Sequence, residues 1–388
     1  MKTADDCEKT IIDVVEEFDY STQNEVYNKS FRKWRKNKNN PFAFNFSANT
    51  KESVFIDGKG FVNNSPAVAE CETINRIFFI IGCAMLIWIT TENIIGKIII
   101  YIIGTVGINV HTTFFSTAYY GGSIEIVSAL IAIALIKILI PVFYMRKKFR
   151  VPLKVEFMGT MNDSAELINA MAMALMVCTI ANIPDAYSSS AKEIYDYFKS
   201  TDTDISVWGQ SEYVIYTIFD VVIISVASEI LFRGAIFSVL RQFGDIFAVI
   251  ITSVMSALLT QDFREMPAVF LISAIASVGM LKSGSVFTAF AVSIIYKMYQ
   301  LSIVIIETST SENMFIIRNL IMTGIFAVGS LAVITIYFIK KKTDRQNHLA
   351  VYTSEITLKE RILYSFRVYP FWAVAVICVI AGIIKIVY

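Results

Sequence analysis

The chain has 388 residues, of which 55% are hydrophobic and 17% charged, with a mean hydropathy of +0.58 and a formal net charge of +1. This balance excludes an ordinary water-soluble domain and gives no global electrostatic footprint for nucleic acid or an acidic substrate. The only two histidines are His111 and His348, and the five cysteines show no C-x-x-C spacing, so neither disulfides nor a zinc-thiolate site is expected.

Residues 1–72 read as a polar extension, acidic at Asp5, Asp6, Asp13, Glu16 and Glu17, then basic at Lys29, Arg32, Lys33, Arg35, Lys36 and Lys38. Phe31 and Trp34 interleave with the basic run at helical spacing. Two readings fit: a solvated tail, favoured by the asparagines that follow, or a short helix resting on anionic headgroups. No basic-then-apolar cleavable leader precedes it, so insertion is expected to begin at the first apolar segment.

From Ile77 onward, apolar segments run over 77–91, 94–110, 124–145, 164–183, 213–240, 246–260, 267–281, 285–306, 316–339 and 369–387. A helix crosses the hydrocarbon core in about 20 residues, so residues 73–388 are expected to form an all-α polytopic membrane domain of about 8–10 transmembrane helices. Loop charge supports the alternation. Arg146, Lys147, Lys148, Arg150 and Lys154 follow the third segment, Arg241 the fifth, Lys282 the seventh, and Lys340, Lys341, Lys342 and Arg345 the ninth. These loops belong on the cytoplasmic side by the positive-inside rule. Loop 184–212, rich in Asp and Glu, fits the opposite side. The two earliest segments are awkward: two full spans there would place the polar extension outside, so either one does not fully cross or the N-terminus is external.

The fifth segment contains Ala227-Ser228-Glu229-Ile230-Leu231-Phe232-Arg233-Gly234. An ionisable group in the bilayer interior costs at least about 2.5 kcal/mol on insertion scales, so it demands a reason. Glu229 and Arg233 stand at i, i+4 with the acid first, the favoured order for pairing on one helix face. On spacing alone an internal ion pair is the simplest account. Lys297, midway along another apolar segment, also needs a partner. Glu229 is the natural candidate, with Asp220 compensating the added positive charge; the alternative is that Lys297 snorkels to an interface.

The stretch through Gly234, with Phe237-Ser238-Val239-Leu240-Arg241-Gln242-Phe243-Gly244 after it, resembles the CPBP family of CAAX-protease and bacteriocin-processing (Abi) membrane proteins over roughly 213–300. The family's first motif is E-E-x-x-x-R; here Ser228 replaces the first glutamate, leaving Glu229 and Arg233. The resemblance implies F-x-x-x-H on the next helix, then a turn often written R-T-G-S, then H-x-x-x-N or H-x-x-x-D. Lys282-Ser283-Gly284-Ser285 is similar to that turn. Ungapped counting puts Ser256 and Thr260 at the second motif and Ser293 and Lys297 at the third, so the histidines are missing from both.

Peptide hydrolysis needs a base or metal to activate water and a group to hold the oxyanion. The resemblance implies that glutamate and histidines do this, whereas a hydroxyl such as Thr260 or Ser293 has essentially no basicity near neutral pH. The leading expectation is therefore a CPBP-like protein with an impaired protease site that binds a lipid, a membrane peptide or a protein partner, without a cofactor. The site residues are Glu229 and Arg233, with Ser228, Thr260, Ser293, Lys297 and Asp220 lining it. The rivals are an active CAAX-type endopeptidase using Glu229, for which zinc would be implied, and a transporter whose pathway Asp220, Glu229, Arg233 and Lys297 would line. Family resemblance also implies a bacterial cytoplasmic membrane and a role in bacteriocin immunity or maturation. No phosphate loop or dinucleotide fingerprint occurs.

Overall fold

The computed structural model describes residues 25–37, 40–44, 53–56, 60–63, 66–112, 119–159, 163–187, 210–263, 265–308, 312–342 and 356–387. Most of the acidic 184–212 loop and His348 lie outside the described residues. Nearly all the described chain is helical. Its strands form two antiparallel hairpins, β1 (Ser53–Ile56) with β2 (Gly60–Asn63), and β3 (Val110–Thr112) with β4 (Tyr119–Gly121).

Helix α1 (Glu25–Arg35) precedes α2 (Pro66–Thr90), which runs through a π-helical turn, Thr91–Ile95, directly into α3 (Gly96–Thr105). The product is one apolar helix of 39 residues, Ala67–Thr105. This corrects the expectation of two early spans at 77–91 and 94–110. Thr91, Glu92 and Asn93 look like a loop in sequence, yet each is accommodated within the helix. Thr91 is buried, Asn93 Nδ2 donates to the Ile89 carbonyl at 3.0 Å, and Lys137 Nζ donates to Glu92 Oε1 at 2.6 Å. A single early helix also removes the topological conflict, because the residues before α2 now fall at the same end of the bundle as the basic end of the next helix.

The remaining helices are α4 (Ser123–Phe149), α5 (Leu153–Glu156), α6 (Ser164–Tyr187), α7 (residues 210–243), α8 (Asp245–Leu258), α9 (Met266–Ser283), α10 (Val286–Thr308), α11 (Glu312–Lys342), α12 (Leu358–Phe366) and α13 (Tyr369–Val387). Among the described residues, six helices are long and apolar enough to cross a membrane, and a seventh span arises if α12 and α13, bent by 78°, count together. The all-α polytopic architecture expected from the sequence is therefore present. Helix α8, at 14 residues, spans only about 21 Å and is largely buried in the bundle.

The basic ends gather on one face. Trp34 Nε1 donates to the Phe149 carbonyl at 2.9 Å, joining α1 to the end of α4. The Val286 amide donates to the Met158 carbonyl at 3.0 Å, and Lys340 of α11 pairs with Asp163, at 3.1 Å, and with Glu166 at the start of α6. Arg361 of α12 donates to Glu70 at 2.6 Å and to the Phe243 carbonyl at 3.1 Å. The positive-inside rule assigns this face to the cytoplasm.

The helical spacing of the N-terminal aromatics does produce a helix, but α1 does not rest on headgroups. Tyr27, Phe31 and Trp34 stack along one side, and all three are buried against the bundle. Arg241 Nη1 donates to the Tyr27 hydroxyl at 2.7 Å, and Arg241 Nε to Asp245 at 2.8 Å. Gln242 then holds the segment after α1, accepting from the Phe44 amide at 2.8 Å and donating to the Phe42 carbonyl at 2.9 Å. Residues 25–37 and 40–44 thus form a strap across the basic end. Burying Phe31 and Trp34 in contact with water-facing chain contributes roughly 2 kcal/mol each.

Candidate intramembrane site

Helix α7 is not uniform. Its α-helical turns are interrupted by π-helical segments at Phe219–Ile224 and Ile230–Phe237, with the short α segment Ser225–Glu229 between them. A π segment widens the helix and re-aims the side chains it carries, and such segments are frequent at functional sites. The three described π segments carry Glu92, Asp220 and Arg233 respectively, and these three residues belong to the polar interior described next.

Glu229 and Arg233 are both buried, with Nη1 of the guanidinium 3.0 Å from Oε1 and 2.8 Å from Oε2 of the carboxylate. Arg233 Nη2 donates to the Ser273 carbonyl at 2.6 Å and to its hydroxyl at 2.9 Å, tying the pair to α9. The Ser293 hydroxyl of α10 donates to Glu229 Oε1. Arg233 Nε has no hydrogen-bond partner among the described residues. The charge pair expected from the i, i+4 spacing is therefore the floor of a network linking α7, α9 and α10. Taking two charges out of water is repaid only when such additional hydrogen bonds satisfy the remaining donors and acceptors.

Lys297 does not pair with Glu229. Its ammonium lies 3.1 Å from Asp220 Oδ2, and both side chains are about one-third exposed, at 37% and 30%. Asp220 is thus the direct partner, not a distant compensating charge, and Ser293, one turn earlier on α10, occupies the place beside Glu229. Ser228 turns back on its own helix, donating to the Ser225 carbonyl at 2.8 Å, and Thr260 donates to the Ala257 carbonyl at 2.7 Å.

All seven site residues expected from sequence nevertheless line one cavity of about 240 Å³, together with Ser256. Its apolar wall includes Trp88, Phe232, Leu259 and Ile272. Several polar members escaped the sequence reading. Ser273 gave no signal, since a serine in an apolar helix is common. Lys137 did give one: it is a lone charge within an apolar segment, and the rule that singled out Lys297 applies equally to it. Its ammonium lies 5.1 Å from the Trp88 ring centroid and pairs with Glu92 at 2.6 Å. Outside the lining itself, Gln261, at a positive φ of 53° that non-glycine residues seldom adopt, donates to Glu92 Oε2 at 3.3 Å and so supports the partner of Lys137. Gln300 donates to the Tyr296 hydroxyl at 2.8 Å and to Glu265 at 3.4 Å. The cavity therefore has a buried ionic floor, an apolar wall and a rim of paired charges.

The donor set does not fit zinc. The one carboxylate at the floor is engaged by a guanidinium and a hydroxyl, and the positions aligned with the family's two motif histidines hold Thr260 and Ser293, which supply hydroxyls in place of neutral imidazole. His111 lies exposed in β3, and among the described residues no histidine lines the cavity. Among the described residues no cluster of three His, Cys, Asp or Glu side chains is placed to hold a metal ion.

The turn between α9 and α10 follows the sequence pattern. Gly284 adopts φ 70°, the left-handed conformation that ends α9, and Ser283 Oγ meets Thr288 Oγ1 at 2.6 Å across the turn. This junction fixes the helix that carries Ser293 and Lys297.

Residues 210–299 match the family described as Type II CAAX prenyl endopeptidase Rce1-like. Comparison with curated proteins and with solved structures returned no match. The matched segment runs from the first residue of α7 to Tyr299 in α10, and so contains every cavity residue named above except Trp88, Lys137 and Gln300. Through that segment the chain is similar to CAAX-protease-like integral membrane proteins, in keeping with the CPBP resemblance of its motifs.

Proposed function

We propose that this protein is a catalytically impaired intramembrane protease homologue whose cavity binds a membrane-embedded partner, a lipid or a peptide segment, without cutting it. The observation that carries the reading is the state of Glu229: its carboxylate is committed to Arg233 and Ser293, and the hydroxyls of Thr260 and Ser293 stand where the family motifs have histidine. A carboxylate bound in this way serves as an ionic anchor for three helices, and the other carboxylates that line the cavity, Asp220 and Glu265, are engaged at its rim by Lys297 and Gln300. The apolar wall and paired-charge rim suit an amphiphilic chain whose polar end reaches the floor, where Arg233 Nε is a spare donor for an acceptor oxygen. A bacterial cytoplasmic membrane, and a part in bacteriocin immunity, belong to this proposal on family grounds alone.

The match to prenyl endopeptidases favours a second reading, an active enzyme using Glu229. A photo-crosslinking prenylated peptide in liposomes separates the two. The proposal expects a covalent adduct on cavity residues, intact peptide by mass spectrometry, and loss of the adduct in Ile272→Trp, which fills the wall. Recovery of cut peptide would establish the enzyme, and an undiminished adduct in Ile272→Trp would remove the cavity as the binding site.

A further inference from the structure

A second concavity, of about 830 Å³, lies at the basic face, where α2 and α13 enter the membrane. It is remote from the site residues and shares no lining residue with the intramembrane cavity. Arg76, Arg367 and Asn75 supply its polar side; Phe79, Ile80 and Tyr369 supply its apolar side. Phe42 of the strap closes one end and is itself fixed edge-on against Phe149, at 5.1 Å between ring centroids.

The level of this groove in the membrane follows from its walls. Helix α12 bends by 78° into α13, so it lies nearly across the direction of the spans. It is held there by the buried Arg361–Glu70 pair, at 2.6 Å, and by the edge-on packing of Phe366 and of Phe78 on Phe371. Tyr369 is 87% exposed and Trp372 57% exposed just beyond the bend, the placement expected of an interfacial aromatic belt. Phe79, one turn beyond Arg76, is also exposed. Below the arginines the groove therefore faces acyl chains, and at the arginines it faces headgroups.

We infer that this groove is a binding site for an anionic glycerophospholipid of the cytoplasmic leaflet, with its phosphate between Arg76 and Arg367 and an acyl chain along Phe79 and Ile80. Charge complementarity supports the assignment. The Arg367 guanidinium is held 5.0 Å from the Tyr364 ring centroid, a contact that leaves its N–H groups free for phosphate oxygens. Arg76 reaches the Glu72 carboxylate at 3.4 Å, and that pair is exposed on both sides, so the phosphate competes with a weak contact. The groove is preorganised, because the strap, α2 and α12 are each fixed by buried contacts that do not involve the two arginines.

The test is native mass spectrometry of the full chain released from detergent micelles, titrated with phosphatidylglycerol or phosphatidylcholine. The expected result is tighter retention of phosphatidylglycerol, weakened about tenfold to thirtyfold by Arg76→Gln/Arg367→Gln, at about threefold to fivefold for each arginine near a charged surface. Lys359→Gln, an exposed lysine of α12 outside the groove, is expected to leave retention unchanged. Unaltered melting in lipid-free detergent verifies that the double variant folds, and either single arginine variant gives the same reading at a smaller amplitude. Equal retention of the two lipids, an undiminished affinity in the double variant, or an equal loss in Lys359→Gln would overturn the assignment. Free glycerol phosphate is expected not to compete at millimolar concentration. Competition would show a site for a soluble anion instead of a lipid.

Discussion

Replacing Arg233 by methionine removes the guanidinium but keeps most of its apolar volume, and so isolates the charge. Arg233 is 1% exposed; it neutralises Glu229 at 2.8 Å and bridges to Ser273 of α9 through hydrogen bonds of 2.6 and 2.9 Å. Breaking a buried pair by removing one partner costs about 3–5 kcal/mol, since the other charge is left uncompensated. Arg233→Met should therefore lose about 3–5 kcal/mol of stability. Glu229→Gln keeps an acceptor but strands a buried guanidinium that cannot deprotonate, and should also lose about 3–5 kcal/mol. The double variant has no charge to strand, so its loss should fall at least about 1 kcal/mol short of the sum of the two singles. The assay is equilibrium unfolding in mixed micelles followed by tryptophan fluorescence, to which Trp88 in the cavity wall contributes. Lys297→Met supplies the contrast, because its pair with Asp220 is about one-third exposed and should be worth only about 0–1 kcal/mol. Additivity of Arg233→Met and Glu229→Gln within about 0.5 kcal/mol would refute the reasoning that they form one coupled pair.

Three further outcomes follow from the same contacts. Burial raises the Glu156 carboxyl to about 7 despite Arg146 at 3.1 Å, so folding favours its neutral form. The stability this group permits is fully present below about 4.5 and is lost as pH rises through about 7. Glu156→Gln should accordingly stabilise the protein at pH 8, by on the order of 1–2 kcal/mol after allowance for solvent screening, and leave it unchanged at pH 4, as thermal melts at the two pH values would record. At Gly82, a Cβ would lie 2.6 Å from the Phe371 amide nitrogen, so Gly82→Val should push α13 off α2 and cost roughly 3 kcal/mol or more; retention of the parent melting temperature would contradict that close approach. In the strap, Phe31→Ala should cost roughly 3 kcal/mol of docking and expose 25–44 to limited proteolysis while the membrane helices stay protected.

Much of this arrangement was legible in the sequence because the bilayer penalises charge so heavily. Glu229 and Arg233 announce themselves by spacing, and the basic clusters after α4, α7, α9 and α11 mark the ends that the structure brings to one face. What was not legible depends on the phase of one helix against another. Lys297 needs an acid, and Glu229 and Asp220 lie on the same helix. Only the rotation of α10, which presents Ser293 to Glu229, decides for Asp220. The polar Thr91-Glu92-Asn93 reads as a loop because its partner Lys137 is 45 residues away from Glu92 and on another helix. For α1, amphipathicity reveals that an apolar face exists but not what covers it. Bundle side chains and anionic headgroups both attract an aromatic, basic helix, and Arg241 and Gln242 settle the matter for the bundle.

The central claim is that Glu229 is a structural ion partner and not a catalytic base. It is tested most directly by incubating the purified protein and its Glu229→Gln variant, each in liposomes, with a quenched fluorescent prenylated peptide beside an active CPBP protease as positive control. The account predicts no turnover from either protein while the control cuts the peptide. Turnover by the parent that is abolished in Glu229→Gln would contradict it.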